Sequence, residues 1–118
     1  MNSQKIPKEM DKKVYMGFRA KDISSKSSVV VMQNGRSENL SPRLDIKDYS
    51  SDGLEWGYGN NGLAQLSLAI LADFTGNDKY AIKHHYWFKL EIISQMPWDH
   101  WKLTAEQIRN WISQHHPL

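Results

Sequence analysis

No charged residue falls between Leu63 and Ala72, and Leu63, Leu66, Ile70 and Phe74 recur at the spacing of one helical face while Ala64, Ala69, Leu71 and Ala72 fill the flanks. A helix that is apolar nearly all round has no face to offer water, so it must lie at the centre of a core with other elements packed about it. The run is too short to cross a bilayer, and Gln65 and Ser67 interrupt it. Asn61 is the expected N-cap, and Gly76 the expected left-handed residue after the last turn. The rest of the chain has to supply the layers that cover this helix.

The N-terminal half supplies strands. Val14, Met16 and Phe18 alternate with Tyr15, Gly17 and Arg19, the period of a half-buried strand. Asp22 to Ser28 is polar and reads as a loop. Val29-Val30-Val31-Met32 is strongly β-prone, and Asn34-Gly35 follows it directly. Asn-Gly accepts the positive φ angles of a type I′ turn, so a hairpin is expected, with its return strand over roughly Arg36 to Leu40. Pro42 ends that strand or bends it. Leu44 and Ile46 suggest one more short strand, and Leu54, Trp56 and Tyr58 alternate beyond the turn at Asp52-Gly53.

The C-terminal half supplies two further helices. One runs from about Asp78 to Met96 and is stopped by Pro97. Its expected buried arc holds Ala81, Ile82, Phe88, Ile92, Ile93 and Met96 with His85 inside it, while Tyr80, His84 and Trp87 fall on the polar side. The other starts at Thr104, where Thr104 and Gln107 make a capping box and Leu103 and Ile108 the accompanying staple. Trp98 and Trp101 lie in the connector between them and are expected to cover the helix ends. The simplest architecture is α+β, a small, mostly antiparallel N-terminal sheet packed against about three C-terminal helices. Residues 1–13 are expected as a flexible tail and 14–116 as one domain, since 118 residues suffice for a single core.

Composition narrows the chemistry. The absence of cysteine removes disulfides, thiolate metal sites and a cysteine nucleophile, and suits a reducing cytoplasm. A net charge of +2 does not announce a nucleic acid or a membrane. The lysine-rich first residues lack the apolar stretch of a signal peptide. The histidines His84-His85, His100 and His115-His116 have no spacing that places two metal ligands on one helical face. Asp45, Asp48, Asp52 and Glu55 alternate with basic and turn residues, the pattern of solvated positions, although Asp45, Asp48 and Glu55 with a divalent metal would make a hydrolase or nuclease site.

Gly57-Tyr58-Gly59-Asn60-Asn61-Gly62 fits G-x-G-x-x-G between an extended stretch and a helix. A dinucleotide site also needs a parallel strand after that helix, and a second helix follows instead. No lysine follows Gly62, which removes a P-loop. What remains is close packing of small residues against the central helix, or an anion held by backbone N–H groups of Gly57, Gly59, Asn60, Asn61 and Gly62. Five tryptophans are the least ordinary feature. Trp87, with Tyr80 and His84, forms a candidate interaction surface on the second helix, because exposed aromatics are enriched at protein interfaces. Lys79, Lys83 and Lys89 beside them leave nucleic acid as an alternative partner.

The blocks "LSPRLDIKDYS", "GLEWGYGNNGLAQLSLAILADFTGN" and "FKLEIISQMPWDHWKLTAEQIRNWI" resemble a family of small uncharacterised bacterial and phage domains. That family opens on Tyr-x-Gly-x-Arg, matched by Tyr15, Gly17 and Arg19, and centres on E-W-G-Y-G-x-x-G-x-A-Q-L. Arg43, Asp45, Glu55, Trp56, Tyr58 and Gln65 follow its pattern, while Leu63 stands where a helix-starting proline is usual. The resemblance implies an accessory protein of phages or mobile elements with no assigned activity, so it carries over no catalytic residue and no cofactor. The expectation is a cytoplasmic, non-enzymatic protein that binds a host or phage protein. A nucleic-acid-binding module and a metal-dependent hydrolase or nuclease are the alternatives.

Overall fold

In the computed structural model, residues 6–20, 27–51, 53–57, 59–115 and 117–118 are described. Four strands, β1 (Val14–Phe18), β2 (Ser28–Gln33), β3 (Arg36–Asn39) and β4 (His100–Thr104), form one antiparallel sheet in the order β3-β2-β1-β4. Three helices, α1 (Asn61–Thr75), α2 (Asp78–Glu91) and α3 (Ala105–His115), complete the α+β arrangement. Three strands come from the N-terminal half as expected. The fourth enters between α2 and α3, out of the stretch read as a connector.

The hairpin follows the sequence closely. Asn34 and Gly35 have φ of 54° and 79°, the left-handed pair that lets a two-residue turn match the twist of β2 and β3. β4 obeys the same period of two: Trp101 and Leu103 are buried, and His100 and Lys102 are exposed. Gly17 on β1 lies opposite Trp101, and a Cβ at Gly17 would overlap the indole. Glycine at this point lets a tryptophan lie across the sheet's inner face.

Two expected strands do not form. Residues 44–46 are a turn, because Arg43 takes φ of 56° and reverses the chain just after Pro42. The stretch 53–57 is irregular, with Trp56 fully buried, and Tyr58 lies outside the described residues.

α1 is enclosed on every side. Twelve of its residues, from Leu63 to Thr75, are buried. α2 packs along one side, and the segment 42–50 lies along another through Gln65. The sheet reaches α1 through Tyr15, whose hydroxyl donates to Asp73 at 2.5 Å, while Lys13 Nζ donates to the same carboxylate oxygen at 2.7 Å. Its N-cap is Asn60, one residue before the expected Asn61, and Gly76 closes its far end with φ of 66°. α3 starts on the expected capping box: Gln107 N–H donates to Thr104 Oγ1, and Thr104 N–H donates to Gln107 Oε1 at 2.8 Å.

Residues 6–13 of the N-terminal segment lie against α3. Ile6 is buried, Lys8–Lys12 is a short 3-10 turn, and Arg109 of α3 ion-pairs with Asp11 and donates to the carbonyls of Ile6 and Pro7. No helix among the described residues is long and apolar enough to cross a membrane.

Burial raises the Tyr15 hydroxyl far above its ordinary pKa, and the neighbouring Asp73 charge adds to the shift. Burial raises Tyr80 as well. Below a pH of about 10 both tyrosines are protonated folded or unfolded; above it only the unfolded chain loses the protons. Stability should therefore be insensitive to these groups up to about pH 10 and fall above it, by about 1.4 kcal/mol per pH unit for each tyrosine. Urea titrations at stepped alkaline pH check this, and Tyr15→Phe should make the alkaline fall shallower.

Candidate interaction surface

α2 turns Ala81 and Phe88 into the core, and Phe88 meets Trp111 of α3 edge-on with ring centroids 5.0 Å apart. Tyr80, expected at the surface, is also buried and stacks on His84 at 4.3 Å. Its backbone N–H is taken by the capping side chain of Asn77, which fixes the first turn and turns the ring inward. Ile82, expected on the buried arc, is 45% exposed. Both differences have one cause. α1 and α3 cover only a narrow strip of α2, and that strip is centred on Ala81 and Phe88 rather than on the widest apolar arc of the wheel.

The outward face of α2 is therefore more apolar than its sequence suggests. Ile82, Tyr86 and Leu90 follow one another at i, i+4 and i+8, so they share a stripe. Trp87 sits beside Tyr86, and the two rings meet edge-on at 5.2 Å. These four side chains are 40–50% exposed. Lys79 and Lys83 are exposed next to them, and Lys89 Nζ lies 5.0 Å from the Tyr86 ring centre. The two acids of the helix are directed elsewhere: Asp78 accepts from Arg43 at 3.0 Å, and Glu91 accepts from Trp111 Nε1 at 2.7 Å. His85 is half-buried, stacked on Tyr49 at 4.9 Å with Nδ1 2.8 Å from the Ile82 carbonyl.

The residues that follow the E-W-G-Y-G pattern sit mostly inside hydrogen-bond networks away from this surface. Arg19 ion-pairs with Glu55, donates to the carbonyls of Trp56 and Trp98, and lies between the Trp56 and Trp98 rings at 4.5 and 3.9 Å. Trp56 Nε1 donates to the same Trp98 carbonyl at 2.8 Å. Gln65 holds four backbone groups of the segment 42–50. Arg43 bridges Asp45 and Asp78, so it ties this segment to the first turn of α2. These hydrogen bonds raise Arg43 and hold the Asp45 carboxyl below the usual range, chiefly through the bond between the two.

The glycine loop lines a hollow of about 480 Å³ with Ser50, Leu54 and Glu55. A Cβ at Gly62 would overlap Glu55, so the close-packing reading accounts for that glycine. Glu55 lines the hollow as well, with its carboxylate ion-paired to Arg19. Among the described residues no group of three or more histidines and acids is placed to hold a metal ion. Asp45 is committed to Arg43, and Glu55 to Arg19.

Such an arrangement defines a small α+β domain with a buried central helix and an aromatic outer helix. The chain belongs to the Family of unknown function (DUF6166), which matches residues 15–114. No curated protein and no solved structure matches the chain.

Proposed function

We propose that this domain works by binding a partner protein through the outward face of α2. One observation carries the proposal: Ile82, Tyr86, Trp87 and Leu90 are large, apolar, contiguous and 40–50% exposed. Single exposed apolar side chains are ordinary, whereas contiguous patches with aromatic centres mark interaction sites. The three lysines of the same face favour a partner with acidic groups at its rim. A bacterial or phage setting, a cytoplasmic location and an accessory role without catalysis belong to the same proposal and rest on the resemblance given above.

The test is capture by the tagged protein from a bacterial lysate, compared with capture by a Tyr86→Ala/Trp87→Ala variant. The substitutions remove exposed side chains, so stability should change by no more than about 0.5 kcal/mol while capture falls at least tenfold. Equal capture by the folded variant would remove α2 as the binding face.

A second reading has its own support. Lys79, Lys83 and Lys89 lie beside Tyr86 and Trp87, the combination that holds single-stranded nucleic acid. It predicts that capture disappears after nuclease treatment and weakens steeply with added salt.

A further inference from the structure

We propose that the open edge of β3, with the groove beneath it, receives an extended peptide as a fifth strand. β3 ends the sheet, and all four of its residues are exposed. Leu40 N–H donates to the Val29 carbonyl at 2.9 Å, which fixes the phase of the ladder. Hydrogen-bonded pairs alternate with non-bonded ones in an antiparallel ladder, so Glu38 and Arg36 bond to β2, while the N–H and C=O of Ser37 and Asn39 point away from it. Those outward groups are the ones an added strand would use.

The inner side of the same edge is hollow. A groove of about 730 Å³ runs under β3, with Val31, Arg36 and Glu38 along the strand side and the Lys13–Asp73 ion pair among its lining. Arg36 and Glu38 lie across from Gln33 and Val31, so they share the inner face with the buried Val29. Strand addition takes affinity from main-chain hydrogen bonds and specificity from alternate side chains entering such a groove.

Charge selects the occupant. Inward-facing Arg36 and Glu38 discourage indiscriminate edge pairing, because a wrong strand would set like charges against them. A strand with an acid opposite Arg36 and a base opposite Glu38, two residues apart, meets both with opposite sign. Lys13 and Asp73 already neutralise each other at 2.7 Å and add no net charge. On β4, the other edge, the outermost N–H, that of Thr104, is taken by Gln107.

The experiment is binding of the whole protein to a synthetic hexapeptide array, with Kd values for the strongest peptides from fluorescence anisotropy. The expected result is a set of peptides with an acid and a base two residues apart. Asn39→Pro should weaken them at least tenfold, since it removes an outward N–H and leaves the β2–β3 hydrogen bonds intact. A charge-swapped Arg36→Glu/Glu38→Arg protein, altered only in exposed side chains, should reverse the acid–base order of the selected peptides, and it decides the matter if Asn39→Pro does not fold. Absence of binding across the array, an unchanged Kd in folded Asn39→Pro, or an unchanged order in the swapped protein would each overturn the proposal. Trp87→Ala should leave peptide binding unaltered, which separates this site from the α2 face.

Discussion

Gln65→Ala should cost about 3–4 kcal/mol of stability. The amide is fully buried within α1, yet it uses its whole hydrogen-bonding capacity. Its Oε1 accepts from the N–H groups of Tyr49 and Ser50 at 2.7 and 3.0 Å, and its Nε2 donates to the carbonyls of Pro42 and Lys47 at 2.6 and 3.0 Å. Alanine leaves two donors and two acceptors to find water, at about 1–3 kcal/mol each if they stay buried. The total is below the sum because the segment 42–50 can lift toward solvent. Gln65→Glu is the sharper control. A carboxylate keeps both N–H contacts but sets oxygen against the carbonyls of Pro42 and Lys47. Its folded pKa must then rise above about 4.3, so the variant binds more protons folded than unfolded. It should gain stability relative to the parent as pH falls, whereas Gln65→Ala should not. Urea denaturation at pH 5 and pH 8 reads both effects. Lifting of the segment would also free Arg43 from Asp78, so amide exchange in the first turn of α2 should quicken in either variant.

Arg19→Ala should cost about 3–4 kcal/mol, for a different reason. Arg19 and Glu55 are 13% and 21% exposed, so removing the guanidinium strands a largely buried carboxylate. It also removes the plate between Trp56 and Trp98 and the donors to two carbonyls. Arg19→Lys keeps the charge but cannot reach Glu55, Trp56 and Trp98 with one planar fork, so it should still cost about 2 kcal/mol. Arg19→Ala/Glu55→Gln should recover part of the loss, because the stranded charge is then gone. The double-mutant cycle by urea denaturation measures that recovery, and a recovery of zero would mean that ring stacking, not the ion pair, holds this corner.

These two networks account for Arg19, Glu55, Trp56 and Gln65 through contacts within the chain. The E-W-G-Y-G block and Gln65 stood out in the sequence, but a sequence does not say whether a polar residue beside apolar ones faces a partner or a neighbouring backbone. For Gln65 the partners are 15 to 23 residues away, and for Arg19 they are 36 to 79 away. No local pattern encodes such contacts. The α2 surface was legible only in part. Trp87 was found because it interrupts a polar face, while Ile82 falls on the broad apolar arc of the wheel and Tyr80 on its polar side.

What the amino-acid order determined by itself was local or near-local. The burial of α1 followed from its lack of any polar face, the β2–β3 hairpin from Asn34-Gly35, the end of α1 from Gly76, and the start of α3 from Thr104 and Gln107. Each rests on backbone geometry or on pairs within a few residues. Tertiary structure decided the rest. His100–Thr104 became a strand because β1 offered an unpaired edge some 85 residues back in the chain, as the register Gly17 to Trp101 shows. Residues 44–46 became a turn because Gln65 gathers the backbone of Pro42 and Lys47 around one amide. The exposed face of α2 was set by how narrow a strip α1 and α3 cover. In each case the deciding free energy lies in contacts between distant segments, which exist only once the chain has closed on itself.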